Sequence, residues 1–311
     1  MVSRSDDGGN RTLNGVLVID KPAGWGSTDV VRIVRHAAGQ RRVGHTGTLD
    51  PDATGVLVVC LGRATRLVRF LQTGRKTYLA SLALGIETTT QDVSGQVVAQ
   101  HSASHVDERV LCQVLTSFVG DIEQVPPMMS AVKVGGERLY DLARRGEQVE
   151  RRPRRVTVHE IVLDAFTAGE RAEVTFLVTC SSGTYVRTLC HDIGQALGCG
   201  GTLTALRRLA NGPFTVDDAH ALEEVATRGE DGSLAAILLS PRDAVRGLPT
   251  LEASPEQARA VAVGRSLPAR GVEGPFAVVT GERLLAVYAD KGGGARPEAV
   301  LVQPEDLGTA S

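Results

Sequence analysis

Between two apolar stretches lies Gly44-His45-Thr46-Gly47-Thr48-Leu49-Asp50-Pro51-Asp52-Ala53-Thr54-Gly55. It gathers an imidazole, two carboxylates and several hydroxyls into one segment, the groups that acid–base and nucleophilic chemistry draw on. Pro51 keeps Asp50 out of helical backbone, and residues 43–55 read as a loop between rigid elements, where reactive groups concentrate. The same residues also suit an ordinary Asp-Pro turn in which Asp52 or Thr54 caps the next element. A second cluster is Ser182-Gly183-Thr184-Tyr185-Val186-Arg187-Thr188, at a strand-to-helix junction. Thr184 is placed to cap that helix, and Arg187 falls in its first turn, where the helix dipole disfavours a cation. An arginine there calls for a partner, and a buried carboxylate is the natural one. A third is Lys76-Thr77-Tyr78 at the start of a strand, in a chain with only four tyrosines.

The elements that must position these groups follow from the apolar pattern. Gly15–Asp20 reads as a buried strand closed by Lys21-Pro22, and Ser27 as the N-cap of a helix to Ala38 with Val30, Val31, Val34 and Ala38 on one face. Val56–Leu61 is a buried strand, Arg63–Thr73 a helix and Thr77–Leu84 a strand. Helices are expected near 107–118, 137–145 and 184–197, and strands near 156–164 and 172–180. Short glycine-punctuated strands fill the segment after Thr250. This mixture predicts an α+β fold, with a small β-rich C-terminal domain at the end.

The 311 residues are enough for about two domains, and 42% hydrophobic with 23% charged residues exclude disordered and collagen-like chains. The five cysteines show no C-x-x-C pair, which argues against a disulfide framework or a cysteine-rich zinc site. Apolar runs such as Val56–Leu61 do not exceed six residues, far short of the roughly 20 that span a bilayer. A soluble, cytoplasmic protein is expected. Lys and Arg (34) nearly balance Asp and Glu (36), but the charge is uneven. Arg32–Lys76 holds nine basic residues against Asp50 and Asp52, and Lys133–Arg155 holds eight against four acids. Such segments either form solvated, internally paired surfaces or present a face that attracts phosphates.

Taken in order, Lys21-Pro22-Ala23-Gly24, the Gly44–Pro51 run, Lys76-Thr77-Tyr78, Gly183–Thr188 and Leu206-Arg207-Arg208-Leu209 resemble the motifs of the TruB family of tRNA pseudouridine synthases. The resemblance runs from about Asn14 to Asp243. It implies a catalytic fold with a central, mainly antiparallel sheet flanked by helices over 14–248. It also implies a PUA-like RNA-binding domain over 249–311, behind a flexible tail at 1–13. By the same resemblance Asp50 is the catalytic aspartate and Arg187 its guanidinium partner. Tyr78 stacks on the target base with its hydroxyl placed to move a proton, Tyr185 and Leu206 line the pocket, and His45 contacts the flipped nucleotide or fills the space it leaves. The reaction breaks N1–C1′, turns the uracil and joins C5 to C1′, so neither cofactor nor metal is expected. The implied partner is the T-arm stem-loop of tRNA, with uridine 55 as target. Arg151, Arg152, Arg154 and Arg155, in the family's mobile RNA-gripping region, are expected on the RNA backbone. A monomer with no obligate protein partner and no membrane contact is the default.

Two other readings differ in kind. A pure RNA-binding or tRNA-folding module would keep the basic segments and have no need of Asp50. An aspartate-based phosphotransferase, suggested by Asp50 and Asp52, should carry that pair directly after a buried strand with further acids for Mg²⁺. A glycine-rich loop precedes it instead.

Overall fold

The computed structural model describes residues 5–6, 10–130, 132–147 and 149–307. Residues 1–4 and 7–9 of the expected tail lie outside the described residues, and Ser5–Asp6 pairs antiparallel with Asn10–Arg11. The fold is mixed α+β, as expected. It divides into two compact units, one of residues 1–51, 55–73 and 212–311, the other of residues 52–54 and 74–211.

In the first unit the strand Gly15–Lys21 pairs antiparallel with Thr54–Leu61, with Ile19 opposite Leu57. Both strands are buried almost throughout, which explains their uninterrupted apolar runs. The helix Ser27–Ala37 buries Val30, Val31 and Val34. Its cap corrects the sequence reading: Gly26 is the N-cap, and Asp29 Oδ2 accepts the Gly26 N–H at 3.1 Å. Ser27 is thereby released for another task, described below. The expected loop also begins late, because Val43–His45 forms a short strand on Val59–Leu61. Residues 63–73 are not one helix but a 3₁₀ turn, Gly62–Leu67, followed by a single α-turn, Val68–Leu71.

The C-terminal segment forms a five-stranded sheet in the order Thr250–Glu252, Pro275–Thr280, Arg283–Lys291, Gly294–Val300, Leu267–Pro268. It also contains a helix the sequence reading lacked, Pro255–Ala262. Ser254 accepts the Gln257 N–H at 3.2 Å and Gln257 accepts the Ser254 N–H at 3.0 Å, a capping box followed by Pro at the first helical position. One apolar cluster lies within this segment, around Val261, Phe276, Leu285 and Tyr288. A second joins it to the N-terminal strands: Val279, Leu284, Val287 and Leu301 pack with Val16, Val18, Val56 and Val58.

The second unit is an antiparallel sheet in the order Gly201–Asn211, Lys76–Leu84, Glu173–Cys180, Arg154–Thr167, Gly120–Gln124. The first of these was in no expected element. Its register shifts between Leu203 and Ala205 and between Arg208 and Ala210 break the period-two pattern by which a strand is read. The expected helices near 107–118, 137–145 and 184–197 are present as Glu108–Ser117, Leu139–Arg144 and Val186–Ala196. Among the described residues no helix is long and apolar enough to cross a membrane, and no group of three or more His, Cys, Asp or Glu is arranged to hold a metal ion.

Candidate active site

In the first unit, Asp50 is half-buried between two neighbours that are each bolted to the frame. On one side, the buried Ser27 Oγ accepts the Leu49 N–H at 2.8 Å and donates to the Leu49 carbonyl at 2.9 Å. A single hydroxyl thus satisfies both backbone groups of the residue before Asp50. On the other side, Lys21 is 0% exposed. Its Nζ donates to the carbonyls of Pro51 at 2.9 Å, Trp25 at 2.6 Å and Pro22 at 2.9 Å. A buried ammonium is tolerated only with such partners, and here the partners are the two loops it ties together. Gly24 adds its N–H to Pro51 O at 3.0 Å from a left-handed backbone with φ +82°, which a side chain would strain. His45 is held with Nδ1 as acceptor for the Gly47 N–H at 3.3 Å.

The second unit carries Tyr78, Tyr185, Arg187 and Leu206. Tyr78 points to the buried face of its strand, which alternates strictly over Lys76–Leu84. Arg187 is in the first turn of its helix and 5% exposed. Thr184 does not cap that helix; Tyr185 is the N-cap, and Thr184 Oγ1 donates to Ser181 O at 2.9 Å. The buried side chain of Gln124 holds the junction instead, accepting the Tyr185 N–H at 3.0 Å and donating to Tyr185 O at 3.3 Å. Leu206 is half-buried on the strand beside Ala80.

The carboxylate that this unit gives Arg187 is Asp92, whose Oδ2 lies 3.3 Å from Nη1. The guanidinium also donates to Met129 O at 2.8 Å and Thr90 O at 3.3 Å. The other oxygen of Asp92 accepts from Thr90 Oγ1 at 2.6 Å and Ser94 Oγ at 2.5 Å. Gln91, between them, adopts φ +64°, the only left-handed non-glycine backbone among the described residues. Strain of this kind persists where the surroundings impose it; here Thr188 Oγ1 donates to Gln91 Oε1 at 2.9 Å and Leu203 N to Gln91 O at 3.1 Å. Asp92 was missed by sequence reasoning. Its signal was a polar stretch, Thr88–Gly95, that reads as a turn.

The four arginines of the basic segment differ in their engagements. Arg152 and Arg154 are exposed. Arg151 donates to Pro126 O at 3.1 Å, and Arg155 pairs with Asp121 at 2.7 Å on the surface.

Comparison with known proteins now defines the class. A model of the TruB family pseudouridylate synthase N-terminal domain matches residues 35–186, and models of the tRNA pseudouridylate synthase B C-terminal domain and of the tRNA pseudouridine synthase II C terminus match 187–245 and 248–302. The tRNA pseudouridine synthase B of Thermobifida fusca is 44% identical over 93% of this chain and 98% of its own. That of Syntrophotalea carbinolica is 48% identical over 81% of each. Among solved structures, a Cbf5-Nop10-Gar1 complex superposes with a TM-score of 0.73 at 28% identity, covering 94% of this chain and 86% of the other. The molecule is a pseudouridine synthase, an isomerase that converts uridine to pseudouridine. Within that class the chain belongs to the TruB family.

Proposed function

We propose that the substrate is tRNA and that the target is the uridine at position 55 of the T-stem loop. The substrate reading follows the name of the tRNA pseudouridine synthase B relatives, and the observation that carries the chemistry is the anchoring of Asp50 between Leu49 and Pro51, each held by a buried side chain, Ser27 or Lys21. A reactive carboxylate needs that fixity, because misplacement on the scale of an ångström removes much of the rate. Asp50 serves as the essential carboxylate. Tyr78 stacks on the uracil and its hydroxyl moves a proton, while Arg187 supplies positive charge. Tyr185 and Leu206 line the base pocket. The target base leaves the helical stack, since stacking hides C1′ and C5, and His45 meets the displaced nucleotide or fills the space it left. N1–C1′ breaks, C5–C1′ forms, and the proton lost from C5 is balanced by one gained at N1, so no cofactor is consumed. Arg151, Arg152, Arg154 and Arg155 meet RNA phosphates, and residues 249–311 act as a PUA-like RNA-binding domain. The protein works as a cytoplasmic monomer.

The test is pseudouridine mapping on unmodified tRNA after incubation with purified protein and a chelator. Wild-type protein should modify the T-loop uridine, and Asp50→Asn should lose several orders of magnitude in turnover, as loss of a covalent catalyst does. Turnover by Asp50→Asn close to wild type would remove Asp50 from that role.

A further inference from the structure

Lys76 is the one feature of the Tyr78 strand that packing does not explain. It is 8% exposed, yet among the described residues none accepts a hydrogen bond from Nζ or forms an ion pair with it. Its neighbours across the sheet are Cys180 on one side and Asn211 on the other. Arg208, 1% exposed and opposite Tyr78, adds a second positive charge to the same face. Burial and the Arg208 charge together push the Lys76 ammonium down to about 8, and burial pushes the Cys180 thiol up to about 11, so that thiol supplies no anion at neutral pH. Lys21, 0% exposed, shows the contrast, with three carbonyl acceptors. Lys76 keeps 8% of its surface exposed, so its side chain is not completely closed off from solvent.

We infer that Lys76 is a binding site for an RNA phosphodiester adjoining the target uridine. The proposal rests on RNA being the substrate and on Tyr78 stacking against the target base. Lys76 and Tyr78 share one strand face two residues apart, about 7 Å along the chain, which matches the reach from a nucleobase to its own phosphate. An anion brought there supplies the missing partner and relieves the repulsion between Lys76 and Arg208. A neutral uracil carbonyl would satisfy only the hydrogen bond.

The experiment is a double-mutant cycle between protein and RNA. Wild type, Lys76→Met and Lys76→Arg are each assayed for affinity and single-turnover rate on two T-arm hairpins. One has natural linkages, and the other carries uncharged methylphosphonates on both sides of the target uridine. Lys76→Met should weaken binding of the natural hairpin by about tenfold or more, the scale of one charge-assisted hydrogen bond, with a small change in the saturated rate. Lys76→Arg should recover part of the loss. The methylphosphonate hairpin should cost wild type a similar factor and cost Lys76→Met nothing further. Because an unpaired buried charge is removed, Lys76→Met should keep or raise the Tm. A structural role predicts a lower Tm instead. Additive losses, or equal affinities throughout, overturn the phosphate site. If wild type bound the natural hairpin but did not convert its uridine, the proposed function would fail, while the affinities would still decide Lys76.

Discussion

Asp92 and Lys76 make opposite demands on the chain, one completing a charge and the other leaving it open. Asp92 holds the buried Arg187 in place through Oδ2 while Thr90 and Ser94 occupy Oδ1. Asp92→Asn keeps the shape and removes the charge, so Arg187 would shift toward the carbonyls of Thr90 and Met129. We expect turnover to fall at least about tenfold, as for loss of a charged hydrogen-bond partner, with tRNA affinity nearly unchanged; single-turnover kinetics beside a binding titration separates the two. Lys76 gives a pH signature. Its folded value, about 8, lies below its ordinary 10.5. The unfolded chain therefore binds more protons between those limits, and stability rises with pH there. Below about pH 8 the buried charge costs a constant amount, on the order of 3 kcal/mol. The stability advantage of Lys76→Met over wild type should thus be flat below pH 8 and vanish by about pH 10.5 in denaturant titrations. A constant gap would mean that Lys76 does not titrate there. Arg187 was legible in the sequence because a cation in a first helical turn is electrostatically out of place. Asp92 was not, because nothing in a polar turn says which distant side chain it will meet.

Elements act here chiefly by bolting loops down, and that is where sequence reading erred most instructively. Ser27 reads as a cap, since one hydroxyl before a helix fits that role. Asp29 satisfies Gly26 instead, and the Ser27 hydroxyl reaches 22 residues along the chain to Leu49. Local sequence cannot distinguish a cap from a tertiary clamp. Ser27→Ala should leave both backbone groups of Leu49 buried without partners, at about 1–3 kcal/mol. Tm should fall, and turnover should fall further than RNA affinity because the damage lies beside Asp50. Equal kinetics in wild type and Ser27→Ala would show that the loop holds its shape without the clamp. The basic segment lends itself to a salt test. Replacing Arg151, Arg152, Arg154 and Arg155 by alanine should lower the log–log salt slope of tRNA binding by about 0.7–0.9 for each phosphate that is no longer neutralised. Saturated turnover should be nearly intact. An unchanged slope would take these arginines off the RNA.

At the scale of the molecule, charge balance says little and shared packing says more. The sequence separates a C-terminal segment cleanly, through its glycine-punctuated short strands, and that segment does form its own sheet. What a sequence does not display is which faces of those strands look outward. Val279, Leu284, Val287, Ala299 and Leu301 lie in one apolar cluster with Val16, Val18, Val56, Val58 and Leu67. Three arginines of the segment Arg63–Arg69 stitch the same seam: Arg63 pairs with Asp306, Arg66 donates to Val300 O, and Arg69 pairs with Glu298 at 2.6 Å. Removing residues 249–311 would therefore strip side chains from a core that the N-terminal strands depend on. Burying a Val or Leu side chain is worth about 1.5–3 kcal/mol, and several would go at once, against a typical total stability of about 5–15 kcal/mol. We expect the truncated chain to be soluble only at low temperature or to aggregate. Replacing Val279, Leu284 and Val287 with serine in the full-length chain should reproduce the loss of Tm without removing any RNA-binding surface. A truncated chain with wild-type Tm and weakened tRNA binding would instead make the segment an independent appendage, with its contribution confined to RNA.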